Sequence, residues 1–208
     1  MLKTRRIGGF LVFESIFDGL MLGDGYLLMK KGSRNAIYGH SCKEYEYIEW
    51  LVNCITKSNF NHNHKIYNKD NGYNTGRVYQ FYTRVNPWLT EQYRRWYPDG
   101  KKVVPSDLAL TKDILRHWYI GDGCLDSAKN YLRQIAISSH SFSKECREFL
   151  CHQIRSLGFK ASNRENGLIC IPKTSVKPFL EYIGDPETSC YRYKWDIQKY
   201  VGKQPKYS

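Results

Sequence analysis

The strongest constraint on this chain is an ending that occurs twice. "FDGLMLGDG" (residues 17–25) and "LRHWYIGDG" (residues 115–123) both run through apolar residues and finish on a carboxylate boxed between two glycines. One Gly-Asp-Gly is an ordinary helix-ending turn. Two of them, at matching places in two halves of one chain, point to a duplication that uses the same helix end twice.

The segments around the endings repeat as well. In the first half the pattern predicts a short helix over residues 15–23, capped by Ser15. Gly25 is then expected to take a backbone conformation denied to other residues and release the chain into a strand. "YLLMKKG" and "NAIYGHS" read as a hairpin through Gly32-Ser33-Arg34. "KEYEYIEWLVNCITKS" has one apolar face, formed by Tyr47, Ile48, Leu51, Val52 and Ile55, and reads as a helix. "NHKIYNKD" and "GRVYQFYTRV" make a second hairpin around Asn71-Gly72. "PWLTEQYRRWYP" starts a helix at Pro87 and ends it before Pro98.

The second half follows suit. Thr111 caps the helix that ends on Gly121-Asp122-Gly123. "NYLRQIAISSHS" is a strand, Ser143 caps the next helix, and Gly158 follows its end. "KASNRENGLICIPK" turns at residues 165–167, and "TSVKPFLEYIG" closes the pattern as a helix. Each half therefore reads helix, hairpin, helix, hairpin, helix. The expected fold class is α+β, with domains at residues 1–104 and 105–208.

Charge narrows the partners. The 208 residues include 32 basic and 20 acidic side chains, a formal net charge of +12. Such an excess favours a polyanion. Seventeen tyrosines and five tryptophans exclude a disordered basic tail. Seven scattered cysteines form no Cys-x-x-Cys pair, which leaves a zinc ribbon or thioredoxin-like site without support. No signal-peptide cleavage region and no membrane-length apolar run is present. A soluble intracellular protein is expected, in the cytoplasm or an organelle matrix, without membrane contact.

A pseudo-two-fold axis explains the double ending. Two equivalent helices meeting on such an axis, with Gly19 and Gly23 allowing close approach, would deliver Asp24 and Asp122 to one place. Two carboxylates brought close repel unless divalent cations lie between them. Oxygen ligands suit Mg²⁺, which also accepts phosphate oxygens. Paired carboxylates, Mg²⁺ and a basic surface point to phosphodiester hydrolysis.

At these residues the chain resembles the LAGLIDADG homing endonucleases in their single-chain form. "FDGLMLGDG" and "LRHWYIGDG" are similar to the family's two motifs. "GKKVVPSDLALTKDILRHWYIGDG", "AISSHSFSKECREFL" and "SCYRYKWD" are similar to segments of its intron-encoded branch. The resemblance implies two αββαββα domains packed through the motif helices, each with a curved antiparallel sheet forming part of a saddle over double-stranded DNA. It implies a monomer that cleaves both strands of a long, non-palindromic target and leaves short 3′ overhangs. Asp24 and Asp122, with Gly23 and Gly121 beside them, would hold Mg²⁺, for which Mn²⁺ could substitute. Lys102 and Lys194 match the family's pocket lysines, one from each half, and would stabilise charge near the scissile phosphate. His40 and His140 stand where the family commonly has a water-organising Gln.

The alternating strands leave Lys30, Lys31, Arg34, Lys65, Lys69, Arg77 and Arg84 as DNA-facing candidates in the first half, with Arg133, Lys160 and Arg164 as counterparts. His117 replaces Gly19, and Trp118-Tyr119 replace Leu20-Met21, so asymmetric helix packing is expected. "NFNHNHK" (His62, His64) reads as loop and strand start, not as a metal site. No protein-splicing junction is visible, and a free-standing or intron-encoded enzyme fits better than an intein. Three alternatives stay open: a maturase binding intron RNA, a cleavage-inactive DNA-binding protein on the same fold, and a basic structural protein.

Overall fold

In this computed structural model, residues 10–58, 60–62, 66–69, 77–128 and 131–200 are described. The Asn71-Gly72 turn, Lys65 and His64 lie outside them. The chain separates into two compact units, Met1–Lys101 and Lys102–Ser208. In the first, the order is α1 (Phe10–Leu22), β1 (Gly25–Leu28), β2 (Ile37–Cys42), α2 (Tyr45–Lys57), β3 (Tyr67–Lys69), β4 (Val78–Tyr82) and α3 (Pro87–Trp96). In the second it is α4 (Lys112–Asp122), β5 (Gly123–Ala128), β6 (Tyr131–Ser138), α5 (Lys144–Ser156), β7 (Ser162–Asn163), β8 (Leu168–Pro172) and α6 (Lys173–Ile183). The αββαββα plan is thus present twice, and the fold class is α+β.

Each unit builds one four-stranded antiparallel sheet, ordered β1-β2-β4-β3 in the first and β5-β6-β8-β7 in the second. Period-two alternation sends every second side chain to the helices. In β2 those are Tyr38, His40 and Cys42, all buried. In β6 and β8 they are Ile135, Ile137, Ile169 and Ile171, all fully buried.

The two cores differ in chemistry. The first is aromatic: the Phe13 ring lies 5.6 Å from Phe17, 5.6 Å from Tyr38 and 5.3 Å from Phe60. Trp88 stands 4.9 Å from Phe17. The second sets aliphatic side chains beneath its sheet, with Leu150, Ile154, Val176 and Ile183 buried alongside the four isoleucines, and keeps its buried aromatics, Trp118, Tyr119 and Phe179, on the helices.

Local signals acted as chemistry requires at most ends. Asn86 accepts from the Trp88 amide at 2.8 Å, Thr111 from Ile114 at 3.2 Å and Ser143 from Cys146 at 3.2 Å. Pro87 occupies the first turn of α3. Gly158 and Gly167 take positive φ, 91° and 81°, after a helix and in a hairpin. Ser15 is a correction. It lies inside α1, where its hydroxyl donates to the Val12 carbonyl at 2.8 Å, so apolar burial carried the helix upstream past a plausible cap. Among the described residues no helix is long and apolar enough to cross a membrane.

Candidate active site and nucleic-acid face

Asp24 lies in the two-residue turn between α1 and β1, and its side chain is exposed. Asp122 is the last residue of α4 and is half-buried. The glycines after them are needed for space and not for a special φ, which corrects the expectation for Gly25. A Cβ on Gly25 would stand 2.6 Å from the Leu20 carbonyl oxygen and 2.9 Å from the Tyr38 hydroxyl. On Gly123 it would stand 2.0 Å from the Tyr119 ring and 2.6 Å from the Tyr119 oxygen. In both units the first strand grazes the helix that precedes it, and only glycine permits that approach.

Beneath Asp24 the first unit holds a buried polar pair. The Tyr38 hydroxyl and His40 Nδ1 share a hydrogen bond of 2.9 Å, and Gly25 pairs with His40 across the β1–β2 ladder. Burial first, and then the Asp24 carboxylate, push the Tyr38 phenol well above its ordinary pKa, so it stays protonated. The second unit has no such pair at the equivalent places. Gly123 pairs with Ile137 and Leu125 with Ile135, so register aligns His40 with Ile137 and Tyr38 with Ile135. The supposed equivalence of His40 and His140 is therefore wrong. His140 is exposed, beyond the end of β6, with Nδ1 2.9 Å from the Ser138 hydroxyl. Spacing from the next helix suggested the match, but the β6–α5 connection is longer than the β2–α2 one, which shifts the count.

The division between the units falls just before Lys102, and Lys194 lies well inside the second. Lys102 opens it, with Nζ 6.0 Å from the Phe142 ring centroid. Lys194 ends a 3-10 turn, Ser189–Lys194, and is 8% exposed. Its Nζ donates to the Ile120 carbonyl at 2.5 Å and lies 3.4 Å and 3.5 Å from those of Tyr119 and Gly121.

The basic candidates fall into distinct settings. Lys31 and Arg34 are exposed in the β1–β2 connection, and Arg77 is exposed just before β4. Lys30 and Arg84 line one groove of about 310 Å³ with Ser33 and Asn35. Lys69 ends β3, paired with Val78. Arg164 lines a second groove of about 520 Å³ with Gln134, Asn163, Glu165 and Asn166. Lys160 is exposed, and its amide donates to the Ser175 hydroxyl at 3.3 Å. Arg133 is held by Asp126 at 2.5 Å, and Gln134 donates to the other oxygen of the same carboxylate. A β-bulge opposite Asp126 brings these neighbours together.

Sequence reasoning passed over the open face of the first sheet. Tyr26 and Tyr82 close over Gly39 between them, 6.2 Å apart, and Tyr67 stands 6.2 Å from Tyr82. Gln80 donates to the Tyr26 hydroxyl. Burial, with the Tyr82 hydrogen bond, pushes the Tyr26 phenol to about 12. Alternation in "VYQFY" carried that signal, since Gln80 and Tyr82 fall on the face opposite Phe81. His62 is buried and shares a 2.7 Å hydrogen bond with the Thr56 hydroxyl, a structural role.

A family model described as the LAGLIDADG DNA endonuclease family matches residues 14–179. The chain belongs to that family. Among curated relatives, an uncharacterized protein of Methanocaldococcus jannaschii is 30% identical over 147 residues, 69% of this chain. The chain spans only 56% of that relative's length. Among solved structures, the homing endonuclease I-WcaI bound to its DNA recognition sequence matches with a TM-score of 0.74 at 19% identity, over 90% of this chain and 86% of that one. I-DmoI in complex with DNA and Mn matches with a TM-score of 0.55 at 14% identity, over 88% and 100%. The N-terminal LAGLIDADG domain of DUF199/WhiA matches with a TM-score of 0.55 at 14% identity, over 88% of each. At these identities the likeness is one of fold.

The two motif carboxylates each stand at a helix end with the side chain at least partly in solvent, and carboxylate oxygen is a donor type that suits a hard divalent cation. Among the described residues no three His, Cys, Asp or Glu side chains cluster as a metal site. Each unit on its own brings one motif carboxylate.

Proposed function

We propose that this LAGLIDADG protein is a site-specific, metal-dependent DNA endonuclease. It acts as a monomer on a long, non-palindromic duplex and leaves short 3′ overhangs. The observation that carries the reading is the duplicated helix end: in each αββαββα unit a glycine-bounded helix end leaves one aspartate at least partly in solvent. The complexes of I-WcaI with its DNA and of I-DmoI with DNA and Mn support duplex DNA and a divalent metal as partners.

In this reading Asp24, with Gly23 beside it, and Asp122, with Gly121 beside it, would hold Mg²⁺ or Mn²⁺. When bound, such an ion would supply an activated water and offset charge on the phosphate. Asp24 and Asp122 provide the oxygen ligands. Lys102 offsets negative charge as it builds up. His40, fixed through Tyr38, lies under the Asp24 turn and helps to order water there. Lys30, Arg34, Arg77, Arg84 and Arg164 engage phosphates, whose contacts fix register. The open faces of the two sheets read base edges. Two unlike units impose no palindrome on the target.

The test is cleavage selection from a randomised duplex library in Mg²⁺, with EDTA as control. Recovery of a long, asymmetric, metal-dependent site is expected. Duplex binding without cleavage in any metal would replace this reading with that of a cleavage-inactive DNA-binding protein. Preference for intron RNA, with intron splicing in its presence, would replace it with a maturase.

A further inference from the structure

We propose that Lys194 is a positioning residue for Asp122, acting through the last turn of α4 and not by touching a phosphate. Only the catalytic consequence rests on the endonuclease reading; the placement is a property of the second unit.

A helix end leaves its last carbonyls without intrahelical donors, and the helix dipole makes that end attractive to a cation. Lys194 meets both demands. Its Nζ faces the carbonyls of Tyr119, Ile120 and Gly121, the three residues before Asp122. An ammonium has three N–H donors, and three carbonyl oxygens surround this one. The lysine is held from its own side too. The Tyr119 hydroxyl donates to the Lys194 carbonyl at 2.7 Å, so helix and 3-10 turn grip each other in both directions. The Tyr191 ring lies 5.3 Å from Nζ. Trp195, the next residue, packs 5.0 Å from Tyr119 and donates from Nε1 to the Gly184 carbonyl at 2.9 Å.

An ammonium buried on backbone carbonyls would have to abandon them to reach a phosphate, at the cost of uncovering polar groups in a buried setting. Its effect on chemistry therefore runs through geometry. It fixes the turn that presents the Asp122 carboxylate and leads Gly123 into β5. The Gly123 amide donates to the Tyr119 oxygen, so it reports on this turn.

The experiment follows amide hydrogen exchange across residues 119–125 in the full-length, metal-free protein, for wild type, Lys194→Met and Lys194→Arg. Lys194→Met should speed exchange there roughly tenfold, as expected for the loss of charge-assisted hydrogen bonds, with residues 20–27 unaffected. Lys194→Arg, which keeps a cation, should recover most of the protection. The salt dependence of binding to a mixed-sequence duplex in EDTA should stay the same in Lys194→Met. On a duplex that wild type cleaves, the single-turnover rate should fall for Lys194→Met and recover for Lys194→Arg, with binding unchanged.

Should Lys194→Met fail to fold, Tyr119→Phe tests the same grip by deleting one hydroxyl, and exchange should rise by a smaller factor over the same residues. Unchanged exchange at residues 119–125, or a salt slope lowered by about one unit, would overturn the proposal and return Lys194 to a phosphate. If wild type cleaves no library duplex, the endonuclease reading fails, while the exchange and salt arms still decide the role of Lys194.

Discussion

The two units of this chain reach the same helix end by different side-chain chemistry. Six residues before the motif aspartate the first unit has Asp18 and the second has Arg116. Asp18 is gripped by Arg95 from α3, at 2.6 Å and 3.0 Å, and by the Trp96 indole at 3.1 Å. Arg116 instead meets Glu187, beyond α6, at 2.6 Å, and Asp113 at 2.8 Å. The ion pair that ties the motif helix to the end of its unit is kept, with the signs exchanged. Similarly, Tyr38 and His40 in one ladder become Ile135 and Ile137 in the other, so polar aromatic side chains beneath one sheet give way to isoleucines beneath the other. What persists is what the backbone demands: strand order, a glycine at the crossing, and a carboxylate at the turn. What differs is packing, which has many solutions of equal volume.

The largest expected effect treats the two ends as equal. Asp24→Asn and Asp122→Asn should each abolish double-strand cleavage and leave duplex affinity in EDTA largely intact, since affinity comes from phosphate and base contacts. Cleavage assays beside binding titrations check this. Full cleavage by either variant would break the symmetry at its centre and remove that aspartate from the site.

Next come the crossing glycines. Gly25→Ala and Gly123→Ala should each lower stability by about 1–3 kcal/mol, because the added methyl meets helix atoms that cannot all withdraw. Gly123→Ala should cost more, since its methyl would fall 2.0 Å from a buried ring as well as on a carbonyl. Gly32→Ala is the control: it has open space around it and only a positive φ of 83° to pay for, about 1 kcal/mol. Urea unfolding of the three variants ranks them. Equal losses would mean that conformation, and not contact, selects these glycines.

These contrasts mark what the sequence could and could not convey. Periodicity and caps were local, so Thr111, Ser143 and Pro87 announced their helices, and the repeated Gly-Asp-Gly announced the duplication. Register was not local. His140 stood at the right distance from a helix start, yet the ladder assigned that place to Ile137, because a connection had lengthened. The setting of Lys194 was equally hidden, since the carbonyls it faces are backbone groups that any residue types could supply. Ser15 misled for the opposite reason: a good cap type in a good place was overridden by the apolar burial of Phe13 and Ile16.

The smallest expected effect concerns the exchanged ion pairs. Asp18→Asn should cost about 1–2 kcal/mol, because a two-pronged charged contact and an indole bond weaken together. Glu187→Gln should cost less, about 1 kcal/mol at neutral pH, because Arg116 keeps Asp113 and the Ile183 carbonyl, 2.9 Å away. The two also differ in what pH reveals. Burial acts to raise the Glu187 pKa, but His117, its Nε2 3.4 Å from the carboxylate, and the Arg116 guanidinium outweigh it and hold it below its usual value near 4.5. A carboxyl with a depressed native pKa binds fewer protons folded than unfolded. Its stabilisation is therefore complete above about pH 4.5 and disappears as pH falls through the native value. Wild type should accordingly exceed Glu187→Gln in stability at pH 7, and the gap should close progressively below pH 4.5. Thermal unfolding of both proteins from pH 7 to pH 3 measures that gap. A gap that persists undiminished at pH 3 would show that Glu187 serves by shape and not by charge, and the exchanged ion pair would then exist in the first unit alone.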